Sequence, residues 1–166
     1  MMVPMNIDSL DVRLITLLCT DTGISVIESA RRLGVARATV QSRLDKLRAS
    51  GVISSEAPSI DPSALGFVLR TFCTIQVRQD VSHTTIAEGL ARIPEITELH
   101  TITGDFDMMA SFVSRSTIDL QRVLDLISNT DGVIRVSTRI ALATHFTNRT
   151  LPLVHSAPQP SSAPSA

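Results

Sequence analysis

The hydrophobic period of the chain changes partway along, and this change limits the fold more than any other feature. Up to Gly51 the apolar residues recur at helical spacing: Leu10, Leu14, Leu17 and Leu18, then Ile27, Ala30 and Leu33, then Val40, Leu44 and Leu47. From Leu65 onward a period of two appears, with Thr71, Cys73, Ile75 and Val77 alternating with Phe72, Thr74, Gln76 and Arg78. A helix stripe and a pleated strand bury different sets of side chains, so the two stretches belong to different structures. The 166-residue chain has room for two small domains of this kind.

Punctuation refines the first part. Asp8 is placed to cap the first helix. Ser25-Val-Ile-Glu28 has the form of a capping box, in which serine and glutamate satisfy each other's free backbone N–H groups. Gly34 and Gly51 can take the left-handed conformation that ends a helix. Two helices joined at a glycine turn behind a supporting helix predict a helix-turn-helix over residues 6–53, in its winged form. Two prolines and small polar residues in SSEAPSIDPSALG mark residues 54–66 as a linker.

The second part reads as strand, helix, strand, strand, helix, strand. Ile86, Leu90 and Ile93 give a helix ended by Pro94, and residues 95–103 and 106–113 give strands joined at Gly104-Asp105. Leu120, Val123, Leu124 and Ile127 give a second helix, and residues 133–146 a last strand. The class is α+β, a helix-turn-helix followed by a ferredoxin-like βαββαβ domain over residues 67–147. After Pro152 the chain turns rich in Pro, Ser and Ala without a hydrophobic period, which predicts a disordered tail over 152–166.

Charge separates the two parts. Between Ser25 and Gly51 six basic residues face two acids, a net +4, whereas from Asp61 to the end eight arginines face ten acids. Such asymmetry in a chain of overall charge -1 points to an anionic partner for the first part. Opposite Val40, Leu44 and Leu47, the third helix shows Arg37, Ala38, Gln41, Ser42, Arg43 and Lys46. Arg and Gln can read guanine and adenine edges in the major groove, while Ser and Lys serve phosphates. Arg37, Gln41 and Arg43 are therefore expected toward bases, with Thr39 beside them, and Ser42 and Lys46 toward the backbone. The chain has no Trp or Tyr and only five Phe, which removes the stacking platforms of single-strand binders, so the expected partner is double-stranded DNA.

Other chemistries find little support. Cys19 and Cys73 sit in apolar stretches and read as buried thiols. His100 lies within eight residues of Asp105 and Asp107, but no second His or Cys has ligand spacing, so no metal is expected. No nucleophile–base pair and no phosphate-binding glycine motif is present, which argues against an enzyme and against a nucleotide cofactor. No apolar run approaches the roughly 18 residues of a membrane span, and a cytoplasmic protein is expected.

The loop Thr103-Gly104-Asp105-Phe106-Asp107 leaves two readings. Glycine allows close backbone approach, so free N–H groups can hold a carboxylate while Asp105 or Asp107 holds an ammonium, matching both ends of a free amino acid. Gly and Asp are equally the residues of an ordinary turn.

Taken in order, DVRLITLL, ARRLGVARATVQSRLDKLRASGVI, IDPSALG, PEITELHTITGDFD and TDGVIRVSTRIAL resemble the Lrp/AsnC family of bacterial and archaeal transcriptional regulators, across most of residues 6–147. The resemblance implies that the second domain is the effector-binding module often called the RAM domain. It further implies a homo-oligomer, a dimer or an octamer built as a tetramer of dimers, with a small amino acid held between subunits near residues 103–107. It also adds Thr138 as a candidate effector contact, and a place on the nucleoid. Ala36 stands where family members usually have the serine that opens the recognition helix, and Phe106 where many have tyrosine. The function expected is a sequence-specific regulator responding to an amino acid. The alternatives are an architectural chromosome-organising protein without a working pocket, and a ligand-binding or enzymatic ferredoxin-like domain with a helical appendage.

Overall fold

The computed structural model describes residues 7–54 and 59–157. Along the chain come α1 (Ser9–Thr20), α2 (Val26–Leu33), α3 (Arg37–Ala49), a 3-10 turn at Pro62–Leu65, β1 (Leu69–Val77), α4 (His83–Leu90), β2 (Ile96–Thr101), β3 (Met108–Ser114), α5 (Thr117–Ser128), β4 (Val133–Ile140) and α6 (Leu151–Ser156). They form two compact units, one from the first part of the chain together with the segment after Phe146, the other from residues 59–145.

In the helical unit Asp8 and Asp11 make a reciprocal capping box. Asp8 Oδ1 accepts from the N–H groups of Leu10 and Asp11, each at 2.9 Å, and Asp11 Oδ2 accepts from the N–H of Asp8 at 3.1 Å. The buried side of α1 is Asp11, Val12, Leu14 and Ile15; of the leucine stripe expected only Leu14 is fully buried, Leu10, Leu17 and Leu18 flank it half-buried, and Cys19, expected as a buried thiol, is exposed. Helix α2 starts as predicted at Ser25, whose Oγ accepts from the N–H of Glu28, but the reciprocal half of the box is missing. Two guanidiniums one turn on, Arg31 and Arg32, outcompete a neutral N–H for the Glu28 carboxylate. Ala30 and Leu33 are buried as expected, but Ile27 is 65% exposed and Ser29 is buried in its place. Gly34 ends α2 at a φ of 70°, where a side chain would be strained, and α3 buries Val40, Leu44 and Leu47 as its spacing requires.

Two expectations for this unit change. After α3 the chain turns and bends through residues 51–53, and among the described residues no strand forms there to make a wing; residues 55–58 lie outside the description. The predicted disordered tail begins instead with α6, which sets Leu151, Val154 and Ala157 against the core formed by α1, α2 and α3. Residues 158–166 lie outside the description.

The second unit is a four-stranded antiparallel sheet in the order β2-β3-β1-β4. Its core joins Cys73, Ile75, Val77, Met108, Ala110 and Phe112 of the sheet to Ile86 and Leu90 of α4 and to Leu120, Val123 and Ile127 of α5. This is the ferredoxin-like arrangement. The turn between β2 and β3 is wider than a two-residue hairpin, since pairing stops at Thr101 and Met108. Strand β4 ends at Ile140, short of the expected residue 146, because β1 begins at Leu69 and the last ladder bond runs from Ala141 N–H to Arg70 C=O at 2.9 Å.

Candidate DNA interface and effector loop

Helix α3 carries the cationic face that its sequence suggests, with Arg37, Ala38, Gln41, Ser42 and Lys46 exposed and Thr39 and Arg43 half-buried. The charge around it is largely spent. Arg31 and Arg32 share Glu28, and Arg32 also reaches Asp21 at 2.8 Å. Hydrogen bonds from Arg31 and then Arg32 hold the Glu28 carboxyl down at about 2. Arg48 lies 3.7 Å from Asp45. Among the described residues Arg37 and Lys46, toward the two ends of the α3 face, make no ion pair; nor does Arg13 of α1, which donates to the Leu33 carbonyl at 3.3 Å. Gln41 Nε2 donates to Asp45 Oδ1 at 3.0 Å, an exposed bond between neighbours one turn apart. Asp8, Ala38, Thr39, Ser42, Arg43 and Lys46 line a concavity of about 500 Å³ beside this face. Among the described residues no side chain caps α3 at Ala36; the Thr39 N–H turns back to the Ala36 carbonyl at 3.0 Å, which leaves the N–H groups of Arg37 and Ala38 for water or a phosphate.

Arg43, expected toward bases, is engaged within the helical unit. Its Nη1 donates to Asp8 Oδ2 at 2.6 Å and to Asp11 Oδ1 at 2.8 Å. The Asp11 side chain is only 1% exposed. The guanidinium expected to reach bases is thus fastened to the first turn of α1. Sequence reasoning assigned Asp8 only a capping role and passed over Asp11. The available signal was an aspartate one turn into an apolar helix, since a buried carboxylate requires a cation.

The loop at 103–107 keeps some of its expected features and loses others. Thr103, Gly104 and Asp105 are exposed, Phe106 and Asp107 half-buried. Gly104 has a φ of 114°, and a Cβ there would meet nothing within 4 Å, so the glycine is required by backbone conformation rather than by space. Asp107 is engaged within the fold: its Oδ2 accepts from the N–H of Val77 at 2.8 Å, and its Oδ1 lies 3.5 Å from Gln79 Nε2. The Asp105 carboxylate has no partner among the described residues. Thr138 is exposed on β4 in the row Ala110, Cys73, Thr138, across β1 from β3 and two residues away from the row Met108, Ile75, Val136 that borders the loop. Neighbouring strands lie about 4.8 Å apart, so one chain does not bring Thr138 to the loop.

A glycine-turn helix pair with a cationic second helix, joined to a ferredoxin-like domain, defines a helix-turn-helix regulator with a separate ligand-binding module. Residues 7–48 match the AsnC-type helix-turn-helix domain, and residues 70–151 match the Lrp/AsnC ligand binding domain. The chain belongs to the Lrp/AsnC family of transcriptional regulators, and it is a DNA-binding protein. It is 35% identical over 153 residues to the HTH-type transcriptional regulator FL11 of Pyrococcus horikoshii, covering 92% of this chain and 99% of that one. It is 27% identical to the regulatory protein AsnC of Haemophilus influenzae, over 81% of this chain and 95% of that one. Among solved structures, E. coli AsnC aligns with a TM-score of 0.76 at 25% identity, over 89% of this chain and all of that one. The feast or famine regulatory protein of M. tuberculosis, complexed with L-methionine, aligns with a TM-score of 0.76 at 27% identity, over 86% of this chain and 96% of that one.

Proposed function

We propose that this chain is a sequence-specific transcriptional regulator whose assembly or DNA affinity responds to a free amino acid, which it binds without changing chemically. The observation that carries the DNA half is the α3 face, where Gln41, Ser42 and Thr39 lie between the unpaired cations Arg37 and Lys46. Arg37, Gln41 and Thr39 face bases; Ser42 and Lys46 face phosphates. One recognition helix reads too little DNA for useful specificity, so two-fold assembly with half-sites about 34 Å apart, or a multiple, is part of the reading. Phe72 and Met109, exposed on the sheet side opposite the helices, offer the apolar surface for a dimer, from which an octamer of four dimers can be built. The site of action is the cytoplasm, on the nucleoid.

For the effector, Asp105 is the carboxylate free to hold an ammonium, and the backbone N–H groups around Gly104 hold the carboxylate. Phe106 supplies an apolar wall, which favours a hydrophobic or sulfur-containing side chain; the L-methionine complex of the M. tuberculosis relative supports this choice. Thr138 contributes only if a second subunit brings it to the loop. Thermal-shift measurements with the twenty amino acids, on protein whose bound genomic fragments have been sequenced, test both halves. A ligand at 100 times its Kd adds about 2.7 kcal/mol of stability. Binding to DNA with no shift by any amino acid supports the architectural reading instead.

A further inference from the structure

We propose that Arg43 is a positioning residue of the DNA interface, which fixes the rotation of the recognition helix α3 through Asp8 and Asp11 of α1 and contacts neither base nor phosphate. This rests on the DNA-binding reading of α3.

The three residues form a closed network. Asp8 Oδ1 accepts the N–H groups of Leu10 and Asp11, and Asp8 Oδ2 accepts Arg43 Nη1. Asp11 Oδ2 accepts the N–H of Asp8, and Asp11 Oδ1 accepts Arg43 Nη1. All four carboxylate oxygens are used, so the N-terminal cap of α1 and the middle of α3 are one polar unit. The rest of the α3 contact surface is Val40, Leu44 and Leu47, and apolar packing is non-directional. At its start α3 has no side-chain cap, and the turn before it is held by backbone bonds, from Gly34 N–H to Arg31 C=O at 3.3 Å and from Val35 N–H to Ala30 C=O at 3.1 Å. Hydrogen bonds from Arg43 are therefore the side-chain constraint that ties the rotation of α3 to α1, and rotation decides where Arg37, Gln41 and Lys46 point. Two carboxylates beside one guanidinium leave this cluster with a charge of about -1 at neutral pH, so Arg43 has no uncompensated charge with which to release counterions from DNA.

The sign of one substitution separates this assignment from its alternatives. Removing a carboxylate near a DNA-binding face ordinarily strengthens binding to every duplex. Asp8→Asn retains a capping side chain and Asp11→Asn retains the shape, yet both loosen the tie. Fluorescence anisotropy, well below the melting transition, compares wild type, Asp8→Asn, Asp11→Asn, Arg43→Ala and Arg43→Lys on an operator selected from genomic fragments and on a scrambled duplex, across a salt series. If the correctly rotated helix falls to about a tenth of the population, operator affinity falls about tenfold. The expected result is such a loss of operator affinity relative to scrambled-duplex affinity for Asp11→Asn and Arg43→Ala, a smaller one for Asp8→Asn, partial recovery for Arg43→Lys, and an unchanged salt slope. Tighter binding of all duplexes by the Asn variants would overturn the proposal. So would loss of discrimination at a single base pair in Arg43→Ala, a drop of about 0.9 in the salt slope, or wild-type affinity in every variant. Failure of wild type to bind any duplex would instead overturn the DNA-binding reading itself.

Discussion

Asp107 closes the β2–β3 turn by accepting the backbone N–H of Val77 at 2.8 Å. Ile75 and Met108 are the last residues that β1 pairs with β3, so the Val77 N–H has no ladder partner on that side, and the carboxylate takes the place of one. The same residue holds the turn by its backbone, donating to Ile75 C=O at 3.1 Å and accepting from Ile102 N–H at 2.9 Å. Asp107 shapes the loop, and Asp105, without a partner among the described residues, is the carboxylate proposed for a ligand. Replacing Asp107 by Ala should cost about 1–2 kcal/mol of stability, since a nearly buried N–H loses its acceptor, whereas Asp107→Asn keeps an oxygen and most of that stability. Isothermal titration with the best amino-acid hit should find binding retained in Asp107→Asn and lost in Asp105→Ala. The opposite pattern would return the ammonium to Asp107.

Ala36 opens the recognition helix without a side-chain acceptor, although its backbone is already extended, at a φ of -66° and ψ of 148°. The Thr39 N–H turns back to the Ala36 carbonyl at 3.0 Å, and a serine there adds a side-chain oxygen as a second acceptor for it without moving the chain. Ala36→Ser should therefore stabilise the helical unit by about 1 kcal/mol, measured by urea unfolding followed at the helical circular-dichroism band. No gain, or a loss, would mean that the bond from the Thr39 N–H to the Ala36 carbonyl already suffices.

Sequence periodicity sufficed where an element's two sides have different neighbours. Strand β1 buries Thr71, Cys73, Ile75 and Val77 and exposes Phe72 and Gln76, as its alternation requires. It misled where the neighbour is distant in sequence. Asp11 is inside because Arg43, thirty-two residues on, compensates it, and Ile27 is outside because none of the described residues of the helical unit packs on that part of α2. Arg43 counted as one charge among six on a basic segment, and only the fold shows that it is neutralised by residues before that segment. In the loop, glycine and aspartate were identified correctly as turn residues, but which aspartate is free depends on where β1 and β3 stop pairing.

Acid should weaken the helical unit through Asp8. Burial raises its carboxyl, but the hydrogen bond from Arg43, the N–H of Asp11, the Arg43 charge and the N–H of Leu10 outweigh burial and hold it below its ordinary 3.8. A folded-state pKa below the unfolded value means that the stabilisation is complete above the unfolded value and disappears as pH falls through the folded one. Exposed Glu28, held at about 2, acts in the same direction. Urea midpoints measured from about pH 5 to pH 2 should fall in wild type and fall less steeply in Asp8→Asn. An identical slope in the variant would assign the acid sensitivity to other carboxylates, such as Asp61 and Asp119 of the second unit, which are also held low.

Salt dependence should identify the phosphate contacts on α3. Each cation that displaces a counterion contributes about 0.9 to the slope of log K against log salt. Lys46→Ala should reduce that slope by about 0.9 and weaken operator and scrambled duplex alike. Arg37→Ala should relax the preferred sequence in addition. A slope unchanged by Lys46→Ala would remove that residue from the backbone contacts.

Helix α6 ties the far end of the chain to the helical unit. Leu151 and Val154 are half-buried against the core of this unit, and His155 Nε2 lies 3.3 Å from Thr16 Oγ1 of α1. Half-burying two aliphatic side chains contributes about 1–2 kcal/mol, and in a unit of this size 1 kcal/mol moves Tm by about 4–8 °C. Ending the chain after Asn148, or introducing Val154→Asp, should therefore lower the melting temperature of the helical unit and speed amide exchange along α1. The second unit should keep its exchange protection, because its core residues all lie before residue 146. Operator affinity well below the transition should persist, since the α3 residues assigned to DNA belong to a different face from those that receive α6. Unchanged exchange in α1 after truncation would show that α6 adds nothing to the unit; lost operator binding in a still-folded variant would give α6 a direct part in DNA recognition.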